Sequence, residues 1–147
     1  MLNLILKNYR NLSYRIRKNE GFSRTVYKDI LGNKTIGYGH LIKNKEKFKN
    51  KKKYSKKHLL KLFEKDFSIA VKNYYKIFKR KKIPRKFEEV IIEMIFQLGI
   101  KNFVKFKKFN YFILKNKPHL ASLEMIKSKW YKQTPKRVEK LISTLIY

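Results

Sequence analysis

Between Glu20 and His40 the chain reads EGFSRTVYKDILGNKTIGYGH, and this segment holds four of the five glycines in 147 residues. Glycine takes left-handed backbone without steric cost, so such a cluster marks a place where the chain turns sharply more than once. The central stretch TVYKDILGNKTIGYG sets apolar and aromatic residues near alternation around LGNK. That pattern predicts a β-hairpin in which Gly32 and Asn33 accept positive φ. One carboxylate, Glu20, stands before the hairpin and another, Asp29, inside it. Two carboxyl groups on opposite walls of a cleft suit hydrolysis of a glycosidic bond. A protonated acid serves the leaving oxygen, and an ionised partner serves water or the sugar cation.

The rest of the chain reads as helix. Leu4, Leu6, Tyr9, Leu12 and Ile16 recur at near-helical spacing and predict a helix over 3–18, with basic residues at its end. The Lys- and Asn-rich run 43–57 reads as a solvated loop. Ser55 is an N-cap candidate for a long helix over 56–79, with Leu59, Leu62, Phe63, Phe67, Ala70, Tyr74 and Ile77 on one broad face. A buried helix is expected from Lys86 to Leu98, stopping at Gly99, with short helical pieces to about 116. Pro118 starts another helix, and Thr134 followed by Pro135 supplies an N-cap and first-turn pair for the last one. Phe103, Phe106, Phe109, Tyr111 and Phe112 have spacings that suit core packing.

Composition bounds the chemistry. A chain of 147 residues is one domain by the usual size range. It has no cysteine, and its three histidines are scattered, so the expectation is a mechanism without metal or cofactor. The apolar stretch in MLNLILKNYRN is too short for a membrane span and lacks a small-residue cleavage site. The 39 Lys and Arg against 10 Asp and Glu give +29, a field that attracts polyanions. Lys-rich composition alongside many Ile, Asn, Tyr and Phe is also what an AT-rich genome favours, so charge alone names no partner.

These residues carry a resemblance. Glu20 followed by Asp29, Gly32, Thr35, Ile36, Gly37, Gly39 and His40 resembles the signature of the phage-type lysozymes, the family of the T-even bacteriophage endolysin. EMIFQLG at 93–99 and KSKWYKQTPKR at 127–137 extend it in the family's order. The resemblance implies an α+β, mostly helical, two-lobed fold. A small β lobe would cover about 20–54, a connecting helix about 55–79 and a helical lobe about 80–147, with the helix over 3–18 packing on the helical lobe. It implies a muramidase that cleaves the β-1,4 bond between N-acetylmuramic acid and N-acetylglucosamine in peptidoglycan, with inversion. Glu20 is the implied acid, and a carboxyl beside the negative end of a helix is pushed toward its protonated form. Asp29 stays ionised opposite it, and Thr35 helps hold the attacking water. Leu41 and Phe96 are implied cleft-lining residues. Arg137 is implied to reach Glu20, while His40 pairs with Asp66 to tie hairpin to helix. Glu93 and Glu124 stand where relatives have Asn.

The implied setting is bacterial lysis by a monomeric enzyme made in the host cytoplasm without a signal peptide, reaching the wall after holin-type release. Peptidoglycan is the expected partner and an anionic membrane surface a further one. The alternative is a noncatalytic cationic protein that binds membrane or wall. A nucleic-acid binder has only charge in its favour, since no helix-turn-helix, RNA-recognition or zinc-finger pattern is present.

Overall fold

In this computed structural model, which describes residues 1–147, the N-terminal apolar stripe is carried by two helices, α1 (Leu2–Asn8) and α2 (Arg10–Glu20). Ile5, Tyr9, Leu12 and Ile16 are its buried positions, at the spacing that puts side chains on one helix face. The single helix expected over 3–18 is broken at Tyr9, whose φ of −122° and ψ of 32° leave the helical region. Tyr9 is 2% exposed, with its ring centroid 6.2 Å from that of Phe67, and burial of this large side chain coincides with the break.

The hairpin forms β1 (Ser23–Lys28) and β2 (Lys34–Gly37), and a short β3 (His40–Leu41) completes an antiparallel sheet in the order β1-β2-β3. Tyr27 faces Thr35 and Lys28 faces Lys34 across the first pair, while Thr35 faces Leu41 and Ile36 faces His40 across the second. Gly32 takes the expected positive φ, at +82°, whereas Asn33 does not. Asn33 instead spends its backbone on closing the turn: its carbonyl accepts the Asp29 N–H at 2.9 Å. Gly37, at φ +67°, would place a Cβ 3.3 Å from Cδ2 of the fully buried Leu59, so only glycine lets this strand end lie against the helix that follows.

That helix, α3 (Lys56–Phe78), starts where Ser55 Oγ accepts the His58 N–H at 3.1 Å. Its buried face is Leu59, Phe63, Phe67, Ala70, Val71, Tyr74 and Phe78; Leu62 and Ile77, expected there, are half-buried. The Lys-rich stretch before α3 is a loop, pinned by Tyr54. The Tyr54 N–H donates to the Arg24 carbonyl at 3.0 Å, the Tyr54 carbonyl accepts from Arg24 Nε at 2.8 Å, and the Tyr54 hydroxyl accepts the Lys49 N–H at 2.8 Å.

The remaining helices are α4 (Arg85–Leu98), α5 (Ile100–Phe103), α6 (Lys107–Leu114), α7 (Pro118–Ile126), α8 (Lys129–Gln133) and α9 (Pro135–Ile146). α4 stops at Gly99, φ +79°, as expected. Pro118 and Pro135 open α7 and α9, but Thr134 makes no side-chain cap bond, its hydroxyl donating instead to the Trp130 carbonyl at 3.3 Å. The expectation did not include α8, whose N-cap Ser128 accepts the Tyr131 N–H at 3.1 Å. Phe78, Phe103, Phe109, Phe106 and Trp130 form a run of edge-on rings with successive centroids 6.3–6.4 Å apart. Tyr111, expected in this core, is 56% exposed.

The fold is therefore α+β and mostly helical. The chain divides into two units, Met1–Ile69 and Ala70–Tyr147, with the division inside α3. This division groups α1 and α2 with the sheet, where the sequence reading groups the N-terminal helix with the C-terminal helices.

Replacing Gly37 with Ala sets a Cβ against Leu59 in a left-handed conformation and is expected to destabilise the protein by about 1–3 kcal/mol. Urea denaturation of both proteins checks this; an unchanged midpoint would mean that the strand end does not depend on the glycine.

Candidate active site

Glu20 is the last residue of α2, not a residue beyond it, and Gly21 at φ +72° turns the chain into β1. The carboxyl thus sits at the carbonyl end of a helix. Nineteen residues later the turn between β2 and β3 comes back to it: a Cβ on Gly39 would lie 2.6 Å from Glu20 Oε2 and 3.2 Å from its Cδ. The Gly39 backbone, at φ +76°, therefore lies directly against the acid.

Asp29 directly follows β1. Its Oδ1 accepts the N–H groups of Leu31 at 2.9 Å and Asn33 at 2.8 Å, while Oδ2 has only a long contact, 3.4 Å, from the Asn33 amide. One oxygen shapes the turn and the other retains lone pairs for a further donor. Thr35 is 2% exposed and its hydroxyl donates to the Asn33 carbonyl at 2.9 Å. Its oxygen can then act toward another group only as an acceptor.

Tyr27 joins these residues, and the sequence reading did not name it. Burial first, and then the negative charges of Glu20 and Asp29, push its phenol above the ordinary value of 10.0. Both carboxylates are thus close enough to act on one hydroxyl, which stays protonated in neutral solution. The strand period could have pointed to Tyr27, which stands two residues before Asp29 and opposite Thr35. Leu41, 53% exposed, flanks Thr35 from β3, so it is not part of the core.

His40 meets Asp66 through Nδ1 at 2.6 Å, tying β3 to α3. A second carboxylate, Glu46, which sequence gave no reason to select, takes Nε2 at 2.9 and 3.0 Å and also accepts the Lys43 N–H at 2.9 Å. Burial alone would lower the His40 pKa, but hydrogen bonds and charge from Asp66 and then Glu46 raise it above 6.5. For Glu46, burial opposes and the bonds from Lys43 and His40 prevail, holding it below 4.5. Carboxylates occupy both ring nitrogens, and no group of His, Asp and Glu side chains is arranged to hold a metal ion. No helix is long and apolar enough to cross a membrane.

Phe96 and Arg137 belong to the unit Ala70–Tyr147. Phe96 is half-buried on α4, and Arg137 on α9 pairs with the fully buried Glu93, Nε to Oε2 at 3.6 Å. Gln97 Nε2 donates to the Thr134 hydroxyl at 3.4 Å beside the buried Trp130.

The profile of the family described as Phage lysozyme matches residues 17–144. A protein of Dictyostelium discoideum described as "Probable T4-type lysozyme 2" is 34% identical over 151 aligned positions, which cover 87% of this chain and 89% of that protein.

The His40 clasp has a definite pH dependence. A His with a raised pKa stabilises fully below its unfolded value near 6.5, and that contribution fades as pH rises through the folded value. The lowered Glu46 contributes above 4.5 and loses its effect as pH falls through its folded value. The stability difference between wild type and His40→Gln should therefore be largest between about pH 4.5 and 6.5, of order 1–3 kcal/mol, and shrink toward alkaline pH. Denaturant midpoints across the pH series test this, and a difference that grows with rising pH would contradict it.

Proposed function

The chain belongs to the phage lysozyme family, and on that footing we propose that it is a muramidase acting on bacterial peptidoglycan. It cleaves the β-1,4 bond between N-acetylmuramic acid and N-acetylglucosamine with inversion, in the lysis of a bacterial cell after release through a separate membrane pore. The observation that supports this reading is the Glu20 carboxyl at the carbonyl end of α2, set directly against the Gly39 backbone of the turn that follows the hairpin.

The place of Glu20 at a helix end and the hydrogen bonds of Asp29 and Thr35 support the roles. A helix dipole favours the protonated form of an acid at the carbonyl end, so Glu20 delivers a proton to the glycosidic oxygen as the bond to the anomeric carbon breaks. Asp29 has Oδ2 available, and Thr35 can only accept. A water giving one hydrogen to each would aim a lone pair at the anomeric carbon; as it adds, its proton passes to Asp29. The Asp29 charge also stabilises the cation-like transition state. Gly39 backs the Glu20 carboxyl, and Tyr27, its phenol held neutral by burial and by the charges of both acids, donates no charge to the site. Leu41 offers an exposed apolar side chain next to Thr35 for a sugar ring. Phe96 as a substrate contact and Arg137 as a group that positions Glu20 enter from the family resemblance alone. The +29 charge would concentrate the enzyme on an anionic envelope.

Lipid-free peptidoglycan separates this from the cationic-binding alternative. Wild type should release muramic-acid reducing ends, identified by mass spectrometry, and folded Glu20→Gln should be slower by about 10²–10⁴-fold. Proton NMR of the first product should show the α anomer, and a β anomer would remove inversion. Release that survives in Glu20→Gln would remove Glu20 as the acid; no release from either protein would leave a cationic wall-binding protein.

A second variant tests the geometry instead of the chemistry. Gly39→Ala pushes a methyl into the Glu20 carboxyl and should lower turnover by about 10–100-fold. Full activity in that variant would mean the acid works from a position away from Gly39.

A further inference from the structure

Helices α1 and α2, with Glu64 of α3, wall a pocket of about 400 Å³ in the unit Met1–Ile69. Its polar lining is Asn3, Lys7, Arg10, Ser13, Arg17 and Glu64, and Leu6 is its one apolar side chain. Five of the lining residues precede residue 17, where the match to the lysozyme family begins. None of the residues assigned above to glycan hydrolysis lies in it. The pocket is thus a feature that the reaction does not account for.

Three cations around a concavity would mean little by themselves in a chain with 39 basic residues. Two things set this cluster apart. Arginine is scarce here, seven of those 39, yet two of the seven line the pocket. The guanidinium is also the group whose planar fork matches an oxyanion. Arg17, moreover, is held in place: its guanidinium carbon lies 5.8 Å from the Tyr14 ring centroid, 6.0 Å from that of Tyr38 and 5.8 Å from that of Phe63. A cation held in place at the wall loses little side-chain freedom when an oxyanion binds it. Asn3 and the largely buried Ser13 add neutral donors beside it. Glu64 opposes an anion, so the three cations outnumber the carboxylate without being matched by it.

We propose that this pocket is a binding site for a phosphate monoester or diester group, held by Lys7, Arg10 and Arg17. Such a group occurs in soluble glycerol phosphates and in the headgroups of anionic glycerophospholipids. The site is independent of glycan cleavage, and its occupancy is read by binding.

Calorimetric titration of the full chain with glycerol 3-phosphate at constant ionic strength tests it. Wild type should bind saturably with one site, and the double variant Lys7→Gln/Arg10→Gln should bind at least about tenfold more weakly. Lys52→Gln/Lys53→Gln removes the same charge from the loop before α3 and should change affinity by less than about twofold, since distant surface charge is screened. Glu64→Gln should tighten binding. Peptidoglycan hydrolysis and the thermal midpoint serve as fold controls and should stay at wild-type values in the pocket variants. Co-sedimentation with phosphatidylglycerol vesicles then identifies the source. Loss of vesicle binding in the pocket double variant, with competition by glycerol 3-phosphate, assigns the site to a lipid headgroup. Unchanged vesicle binding with lost glycerol 3-phosphate binding assigns it to a soluble ester. Equal weakening by the two double variants, or no saturable binding by wild type, would overturn the proposal and leave only the bulk positive field.

Discussion

The close approach of the Gly39 backbone to the Glu20 carboxyl is the contact on which the candidate site depends. It requires a helix that ends on its acid, a residue at Gly21 that reverses direction, and a sheet that returns after the hairpin with no side chain at the point of contact. Gly37 meets the same demand two residues earlier, against Leu59. At Gly37 and Gly39 positive φ and a missing Cβ coincide where backbone touches a buried side chain or an acid, whereas Gly21, Gly32 and Gly99 use positive φ in open space. Asp29 extends the same logic, with one oxygen committed to turn amides so that the other keeps a fixed direction.

A chain with 39 cations and 10 carboxylates gives nearly every carboxylate a defined position. Asp66 and Glu46 clasp His40 from both sides. Glu88 and Glu89 meet Arg85, Glu93 meets Arg137, Glu124 meets Lys127, and Glu139 accepts the Tyr131 hydroxyl. Asp29 holds the turn, Glu20 abuts Gly39, and Glu64 borders the basic pocket. Exposed pairs of this kind contribute little to stability. The His40 clasp and the buried Glu93 differ because an unmatched charge there would lack solvent.

Helices announced by a local signal are legible in the sequence alone. Ser55 and the apolar face of α3 predicted its start, and Gly99 predicted the end of α4, because capping and period depend on neighbours in the chain. The break at Tyr9 was not legible, since helical spacing continues through it and only burial near Phe67 marks the site. The two-residue β3 and five-residue α8 are too short to show a period. Tyr111 is exposed although its spacing suits the core, because that spacing fits either face of a short helix.

By itself the sequence determined the α+β class, the hairpin between Glu20 and His40, and the family to which Glu20, Asp29 and Thr35 point. Residue type, spacing and turn chemistry act over a few residues, so they can be read along a line. Tertiary structure alone decided that Gly39 lies on Glu20, that Tyr27 is near both acids, that Glu46 is the second partner of His40, and that Lys7, Arg10 and Arg17 share a pocket. Those contacts depend on how elements pack and how loops close, and neither leaves a mark in the local pattern of the chain.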